Sequence, residues 1–502
     1  MLIYLLVNPR QPAIIPRSQH SISRKWISPN AIRVLYRLKE KGHYAYLVGG
    51  GVRDLLLGRE PKDFDIATDA RPNELKKIFR NCRLIGRRFR LAHVHFPNEI
   101  IEVATFRSSQ AELPEAESAV PSPEQAQADL SVEVPAPGNG GEPVGPVPEG
   151  EIPAQAGRPA VETRPAPPPR LLKTEDGMIL RDNLFGTPEE DAVRRDFTVN
   201  ALFYNVADYT VIDYVGGMDD LRNGLIRTIG DPMVRFTEDP VRMVRAVRFA
   251  AMLGFEIEET TYRALVELKD RLALASPARM YEEVLKLFLL GEGEKTYQLL
   301  RKTGLFGVIF PKLNEWIDAV NGGFPHTWIG KALEWVDTYV QSGRPVQPHI
   351  AFGLMFGQYI EEKAESLVKS GSPPLDAVTK AVAEVLSEQA QRVMIPKKVG
   401  LPMRDMYWNQ HRFEKRTGKH PRYFLRRPGF SDAYEYLRFT NEVTGERSEV
   451  RAWWKEFIKA NPIAPGEDKE IQQRREKRLK PARRRRRGPR RPEARRPDNR
   501  PK

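Results

Sequence analysis

A single cysteine, Cys82, in 502 residues excludes any intramolecular disulfide and fits a reducing compartment. Long apolar runs are also missing. Met1 to Val7 is apolar but too short for the core of a signal peptide, and no later stretch reaches the roughly 18 apolar residues that a membrane helix needs. An acidic excess is absent too, since 80 Lys+Arg face 66 Asp+Glu for a net charge of +14. Together these absences predict a cytoplasmic chain with no membrane span and a preference for polyanions. What is present supports ordered domains. A hydrophobic content of 40% and 7 Trp suffice for real cores, and 502 residues exceed what one core holds, so two to four domains are expected.

The charge is unevenly spread. Residues 471–502 hold 16 Lys+Arg against 3 acidic residues, densest at Arg483–Arg487, whereas residues 110–170 hold 10 acidic against 3 basic. The latter stretch has 14 prolines and no aromatic residue, so it cannot bury enough surface to offset chain entropy. It reads as a disordered insertion, with a featureless spacer as its blander meaning. The tail could be a solvated solubility segment, but a basic tail on a mildly basic body is the footprint of a nucleic-acid binder.

Short strands and helices alternate between Pro29 and Phe106. A helix over 30–42 precedes an apolar strand at Tyr44–Val48, which runs into Gly49-Gly50-Gly51 and a short helix over 52–57. A second strand is expected at Asp63–Thr68, a helix over 73–80, and strands near 83–85, 92–96 and 100–106. After the insertion, Thr187 and Glu190 have capping-box spacing ahead of Arg194-Arg195-Asp196-Phe197-Thr198-Val199-Asn200. Strands at Val211–Val215 and Leu225–Ile229 are expected to finish the sheet, and from Pro232 to about Leu386 the pattern is helical. Residues 404–427 interleave bases with Tyr407, Trp408, Phe413, Tyr423 and Phe424. That mixture suits single-stranded RNA, but equally suits amphipathic helices with buried rings.

Three constellations carry chemistry. Gly49 and Gly50, between a strand and a helix, let a backbone approach phosphates closely, with Arg53 one turn on. Thirteen residues after Gly50, Asp63 and Asp65 stand at i and i+2, which on a strand share a face. Such a carboxylate pair can hold Mg²⁺, which completes its shell with substrate phosphates, and ions of this kind assist both the attacking hydroxyl and the leaving pyrophosphate. In the second constellation Arg195 can neutralise a triphosphate, and Asp196 can accept from a ribose or assist the metal site. Glu102 is a competing third carboxylate, ranked below Asp196. The third is Glu238-Asp239-Pro240-x-Arg242-x-x-Arg245-x-x-Arg248, whose arginines lie on one helix face about 120° wide.

The stretch Leu47–Gly58, with Pro61-Lys-Asp-Phe-Asp65, resembles the head of the class II nucleotidyltransferases of the polymerase-beta-like superfamily, comprising bacterial poly(A) polymerases and CCA-adding enzymes. The resemblance is close over roughly 15–106 and 180–290 and looser beyond. It implies an α+β head (small mixed sheet with helices) followed by all-α neck and body domains, with ATP as substrate and Mg²⁺ as cofactor. It assigns Asp63, Asp65 and Asp196 to catalysis, the first two as metal ligands. Nucleotide binding falls to Gly49, Gly50, Arg53, Arg195, Asp239, Arg242, Arg245 and Arg248, with Asp239 and Arg242 reading the base. The expected layout is an N-terminal extension (1–28), a head (29–230) carrying the 110–170 insertion, and a helical neck (231–292) binding nucleotide and RNA. A helical body (293–400), a basic-aromatic RNA-binding region (401–465) and an Arg-rich disordered tail (466–502) follow. Residues before about Ile15 lack family-like sequence.

Within the family, Gly86–Val94, Asn183–Asp191 and Asp213–Met218 look like the poly(A) polymerase branch, and the basic tail suits processive hold on many RNAs. The branch implies template-independent AMP addition to RNA 3′ ends, in a monomer whose further partners are RNA-decay proteins. The insertion and the long tail depart from the pattern without removing a site residue. CCA addition to tRNA is the alternative activity, and a non-enzymatic RNA binder on a relic head the alternative class.

Overall fold

The computed structural model describes residues 11–86, 91–108, 172–173, 179–181, 185–321 and 327–462. The apolar run at 1–7, the 110–170 insertion, the 466–502 tail, and parts of the branch-like segments around residues 87–90 and 183 lie outside the described residues.

Twelve strands occur among the described residues. They are β1 (Ala13–Ile15), β2 (Ala45–Val48), β3 (Asp65–Thr68), β4 (Cys82–Ile85), β5 (Leu91–His95), β6 (Ile100–Thr105), β7 (Leu172–Lys173), β8 (Ile179–Arg181), β9 (Leu202–Asn205), β10 (Thr210–Asp213), β11 (Leu225–Ile226) and β12 (Glu256–Ile257). Eight of them form one sheet in the order β1-β10-β9-β2-β3-β6-β5-β4. Only β3 and β6 run parallel, with Asp65 level with Glu102. On the other side of β3, Val48 of β2 lies opposite Asp65 and, across β2, opposite Phe203. The fold is the expected α+β head with a mixed sheet and a helical continuation.

Several expectations change in detail. The second strand begins at Asp65, so Asp63 sits in the turn before it. Residues 13–15, drawn outside the head, supply its edge strand β1, antiparallel to β10. The strand expected at Leu225–Ile229 shrinks to β11, which pairs with β12 in a separate ribbon because Gly224 turns the chain away with φ +64°. The eighth strand is β9, whose wholly apolar Leu-Phe-Tyr stretch is buried on both faces and shows no alternation to read.

Helix α1 (Pro29–Glu40) starts where the Ser28 hydroxyl accepts from the amides of Asn30 and Ala31, and buries Ala31, Val34, Leu35 and Leu38 at helical spacing. Helices α2 (Gly50–Leu56), α3 (Pro72–Ile78), α4 (Pro188–Val193) and α5 (Gly217–Asn223) complete the head. The capping box forms at α4, where the Thr187 hydroxyl accepts from the Glu190 amide and the Glu190 carboxylate from the Thr187 amide. The chain leaves the sheet after β6 and returns beside it. Arg107 bridges to Phe185, the Gly186 amide donates to the Phe106 carbonyl, and the Ser108 hydroxyl to the Glu190 carboxylate.

The neck holds α6 (Pro232–Glu238), α7 (Val241–Leu253), α8 (Glu259–Leu268) and α9 (Pro277–Phe288). Arg59 ties it to the head by donating to the carbonyls of Met252 and Leu253 at the end of α7. The body follows with α10 (Gly293–Lys302), α11 (Leu305–Ile309), α12 (Pro311–Asn321), α13 (Thr327–Gln341), α14 (Pro348–Lys369), α15 (Pro374–Gln389) and α16 (Lys397–Trp408). Head, neck and body share one continuous apolar core. Helices α17 (His420–Leu425), α18 (Phe430–Thr444) and α19 (Ser448–Ala460) enclose a second, aromatic core around Phe413, Phe424, Phe430 and Trp454. The bland reading of the 404–427 rings therefore holds for Tyr407, Phe413 and Phe424, which are buried, while Tyr423 is 73% exposed and Trp408 half-buried.

Candidate active site

The site grows from the end of β2. Gly49 has φ +72°, a conformation in which a side chain is strained, and a Cβ there would stand 3.2 Å from the Arg195 guanidinium. A Cβ on Gly51 would stand 3.3 Å from the Asp63 carbonyl. The glycines thus bring the first turn of α2 against both the Asp63 turn and Arg195. Gly49→Ala is expected to lower stability by about 1–2 kcal/mol and kcat/KM by at least tenfold, read by thermal melting and steady-state kinetics. Unchanged kinetics would remove this turn from the site.

Asp63 is exposed and Asp65 partly buried at the start of β3. Burial, reinforced by Glu102 and Asp63 and opposed by Arg195, pushes the Asp65 carboxyl up to about 6. Neither aspartate has an ion-pair partner among the described residues, and Arg195 acts on Asp65 only through its charge. Among those residues no group of three or more His, Cys, Asp or Glu is arranged to hold a metal. Two carboxylates that need further oxygens from a substrate fit Mg²⁺, which keeps water and phosphate in its shell.

The order of the third carboxylates reverses. Glu102 faces Asp65 from the neighbouring strand and accepts from His93, whose Nε2 is 3.2 Å away. Asp196 is instead nearly buried and gripped by Arg245, whose Nε donates to it at 2.7 Å. Burial would raise its pKa, but the charge and hydrogen bond of Arg245 bring it down to about 2. Asp196 therefore anchors the neck to the head.

Arg195 donates through Nε and Nη2 to Asp191 and through Nη1 to the Asn200 carbonyl, leaving its guanidinium partly open beside Gly49 and near Asp65. Arg53, expected to touch phosphate, is 3% exposed; it donates to Asp54 and, through Nη1, to the Asn200 side-chain oxygen at 2.6 Å. It supports the site from behind, because the turn at Gly49 points it inward. Asn200 has no role in the sequence reading, yet its amide also donates to Asp196 at 3.2 Å. One buried side chain thus links Arg53 and Asp196, while its backbone holds Arg195. Only its place at the end of the Arg195-Asp196 motif could have signalled it.

The arginine stripe of α7 is more internal than expected. Arg53, Arg245 and Arg248 stand 5.2, 5.4 and 4.3 Å from the centroid of the Phe249 ring. Arg248 is buried near Glu283, and burial together with Arg245 lowers its pKa to about 10. Arg242 donates to the Arg235 carbonyl at 2.9 Å and lies 3.6 Å from Glu238. Asp239 receives a two-pronged fork from Arg279 of α9 at 2.8 and 2.7 Å, a partner 40 residues away that no local pattern announces.

Residues 45–227 match the family described as the Poly A polymerase head domain, 254–317 the probable RNA and SrmB-binding site of polymerase A, and 370–492 the polymerase A arginine-rich C-terminus. The chain is 42% identical over 486 residues to Poly(A) polymerase I of Escherichia coli O6:H1, covering 96% of this chain and 93% of that one. It is 37% identical over 471 residues to Poly(A) polymerase I of Haemophilus influenzae, covering 93% and 92%. A CCA-adding enzyme of Lactobacillus gasseri is 34% identical over 275 residues, 55% of this chain and 54% of its own. In fold it resembles a tRNA nucleotidyltransferase solved with a primer tRNA and an incoming ATP analogue, at a TM-score of 0.50 and 20% identity, covering 86% of this chain and all of that one.

Proposed function

The chain belongs to the bacterial poly(A) polymerase family of nucleotidyltransferases, and from that premise we propose how its residues add AMP from ATP to RNA 3′ ends without a template. The observation that carries the reading is the pair Asp63 and Asp65, without an ion-pair partner among the described residues, beside the Gly49 turn and Arg195. The RNA 3′ oxygen bonds to the α-phosphorus of ATP, the bond to the β-phosphate breaks, and pyrophosphate leaves; no covalent enzyme intermediate forms. Asp63 and Asp65 would hold Mg²⁺, which when bound eases charge on the attacking and leaving oxygens. Arg195 neutralises triphosphate at the glycine turn. Arg53, Asn200, Asp196 and Arg245 hold that turn and the neck in register.

Asp239 and Arg242 select adenine, with Arg279 fixing the orientation of the Asp239 carboxylate. Arg279→Ala is expected to lower the preference for ATP over CTP about tenfold, measured as the ratio of kcat/KM values. An unchanged ratio would separate Arg279 from base choice.

The test of the whole reading is one incubation of purified protein with Mg²⁺, a short unstructured RNA and each nucleotide in turn. Ladders of A alone support it; discrete CCA addition confined to tRNA-like ends would move the chain to the other branch. RNA binding without extension, unchanged in Asp63→Ala/Asp65→Ala, would indicate a binding protein. Truncation after Pro465 is expected to weaken RNA affinity and flatten its salt dependence while single-nucleotide transfer survives. An equal salt slope would acquit the tail.

A further inference from the structure

A cleft of about 560 Å³ opens in the body, between the C-terminal half of α14, the first turns of α15 and the end of α16. Its walls are largely apolar, with Val368 on α14 and Leu375 and Val378 on α15. Trp408 and His411 close one side, and Glu361 stands on α14 as a carboxyl without an ion-pair partner among the described residues. Burial pushes that carboxyl up to about 7, beside the Tyr436 hydroxyl. Phe352, nine residues before Glu361, stacks on Tyr281 of α9, so the cleft lies roughly 14 Å further along α14 from the neck.

The rim carries charge of both signs, with Glu365 and Lys369 on α14, and two arginines flank Trp408. The guanidiniums of Arg412 and Arg427 lie 5.1 and 5.7 Å from the Trp408 ring, and neither has a carboxylate partner among the described residues. Burial and the charge of Arg427 lower the Arg412 pKa, so these two cations sit together at a cost. The His411 Nδ1 lies 2.8 Å from the Trp408 carbonyl, and partial burial lowers the pKa of this ring. Trp408 thus joins an apolar slot holding a carboxyl to two guanidiniums that lie beside its ring. An unstacked nucleobase with its phosphate demands that set: a ring to stack on, a polar group for its edge, and cations for the backbone.

We propose that this cleft receives one splayed base of the RNA strand, Arg412 and Arg427 holding the adjoining phosphate. This site is separate from the nucleotide pocket of the head and rests on the RNA reading above. It makes the body a grip on RNA upstream of the growing end, and explains why Trp408 is the half-buried ring in a stretch where Tyr407, Phe413 and Phe424 are core.

The test uses the full chain without Mg²⁺, so that only binding is read. Titration is against A15 RNA, and against A15 carrying 2-aminopurine at successive positions. Val368→Trp, at an exposed position, fills the slot; Trp408→Ala removes the stacking surface; Glu361→Gln keeps the volume and alters the edge contact. Val368→Trp and Trp408→Ala are expected to weaken RNA binding about tenfold, and Glu361→Gln severalfold, with the melting temperature unchanged in Val368→Trp and not lowered in Glu361→Gln. In wild type one internal 2-aminopurine should brighten on binding, and Val368→Trp should quench that response. Wild-type affinity in Val368→Trp and Glu361→Gln, or no brightening at any position, overturns the proposal. AMP competing with RNA for the cleft, with RNA binding unaltered by the variants, would instead make it a free-nucleotide site and also overturn it. If wild type binds no RNA, the functional reading fails first, a result distinct from these.

Discussion

Asp65→Asn is expected to reduce AMP transfer on the order of 10³-fold and, in the same protein, to raise thermal stability at pH 8. The two effects share one cause. Burial with Glu102 and Asp63 nearby pushes the Asp65 carboxyl up to about 6 from 3.8, so the fold prefers its protonated form. A carboxyl raised in this way contributes stability below pH 3.8 that is lost as pH rises through 6. Two units correspond to about 3 kcal/mol, an upper bound on what a neutral amide restores above pH 7. Melting of the metal-free variant and wild type should therefore nearly coincide around pH 4 and diverge through pH 6, with the variant higher. Mg²⁺ should narrow the gap by stabilising wild type alone. The same proton competes with the metal, so the Mg²⁺ concentration for half-maximal activity should climb about tenfold per pH unit below 6. A variant no more stable than wild type at pH 8 would mean that Asp65 is neutralised by some other group.

The second large effect is expected at a residue that touches neither substrate nor metal. Asn200→Ala removes the acceptor of the Arg53 Nη1 and one of the donors to Asp196, both deeply buried. The Arg53 guanidinium keeps its pair with Asp54, but a buried Nη1 donor left without an acceptor costs about 1–3 kcal/mol of stability. Catalysis should suffer as well, because Arg53 backs the Gly49 turn and Asp196 holds Arg245 of the neck. A displacement of about 1 Å at the reacting centre can cost 10²-fold, which is the expected fall in kcat/KM. Asn200→Asp keeps an oxygen for Arg53 but turns repulsive towards Asp196, so it should recover stability only in part. Calorimetry and steady-state kinetics on both variants decide the matter; a loss of stability with intact kcat/KM would make Asn200 purely structural.

What could be read from the sequence follows a physical division. Local patterns were legible: the apolar β2 strand running into glycines, the Asp63/Asp65 spacing, the α4 capping box and the helical run of the neck all depend on neighbours in the chain. Pairings across the chain were not. Nothing near residues 13–15 announces that they edge the sheet against β10, and β9 lacks the alternation that betrays a half-buried strand. Arg53 looked like a phosphate ligand because a sequence gives charge without direction, and the structure turns it inward. Glu102 rose above Asp196 as the neighbour of Asp65 only when parallel register set β6 beside β3. Arg279 and Asp239 are joined by a fork across two helices, invisible to any periodicity.

The stitch between Arg107 and Phe185 has a consequence for how this polymerase can change. Because the two ends of the intervening chain are pinned to each other by backbone and capping bonds, its length is nearly a free variable. Doubling a flexible loop costs only about 0.6 kcal/mol of closure entropy. The register of β6 and the cap of α4 are therefore expected to survive changes in the length of the chain between them. Expansion of the gene between those two ends is expected to be close to neutral for the fold, whereas an insertion within β6 would break the sheet.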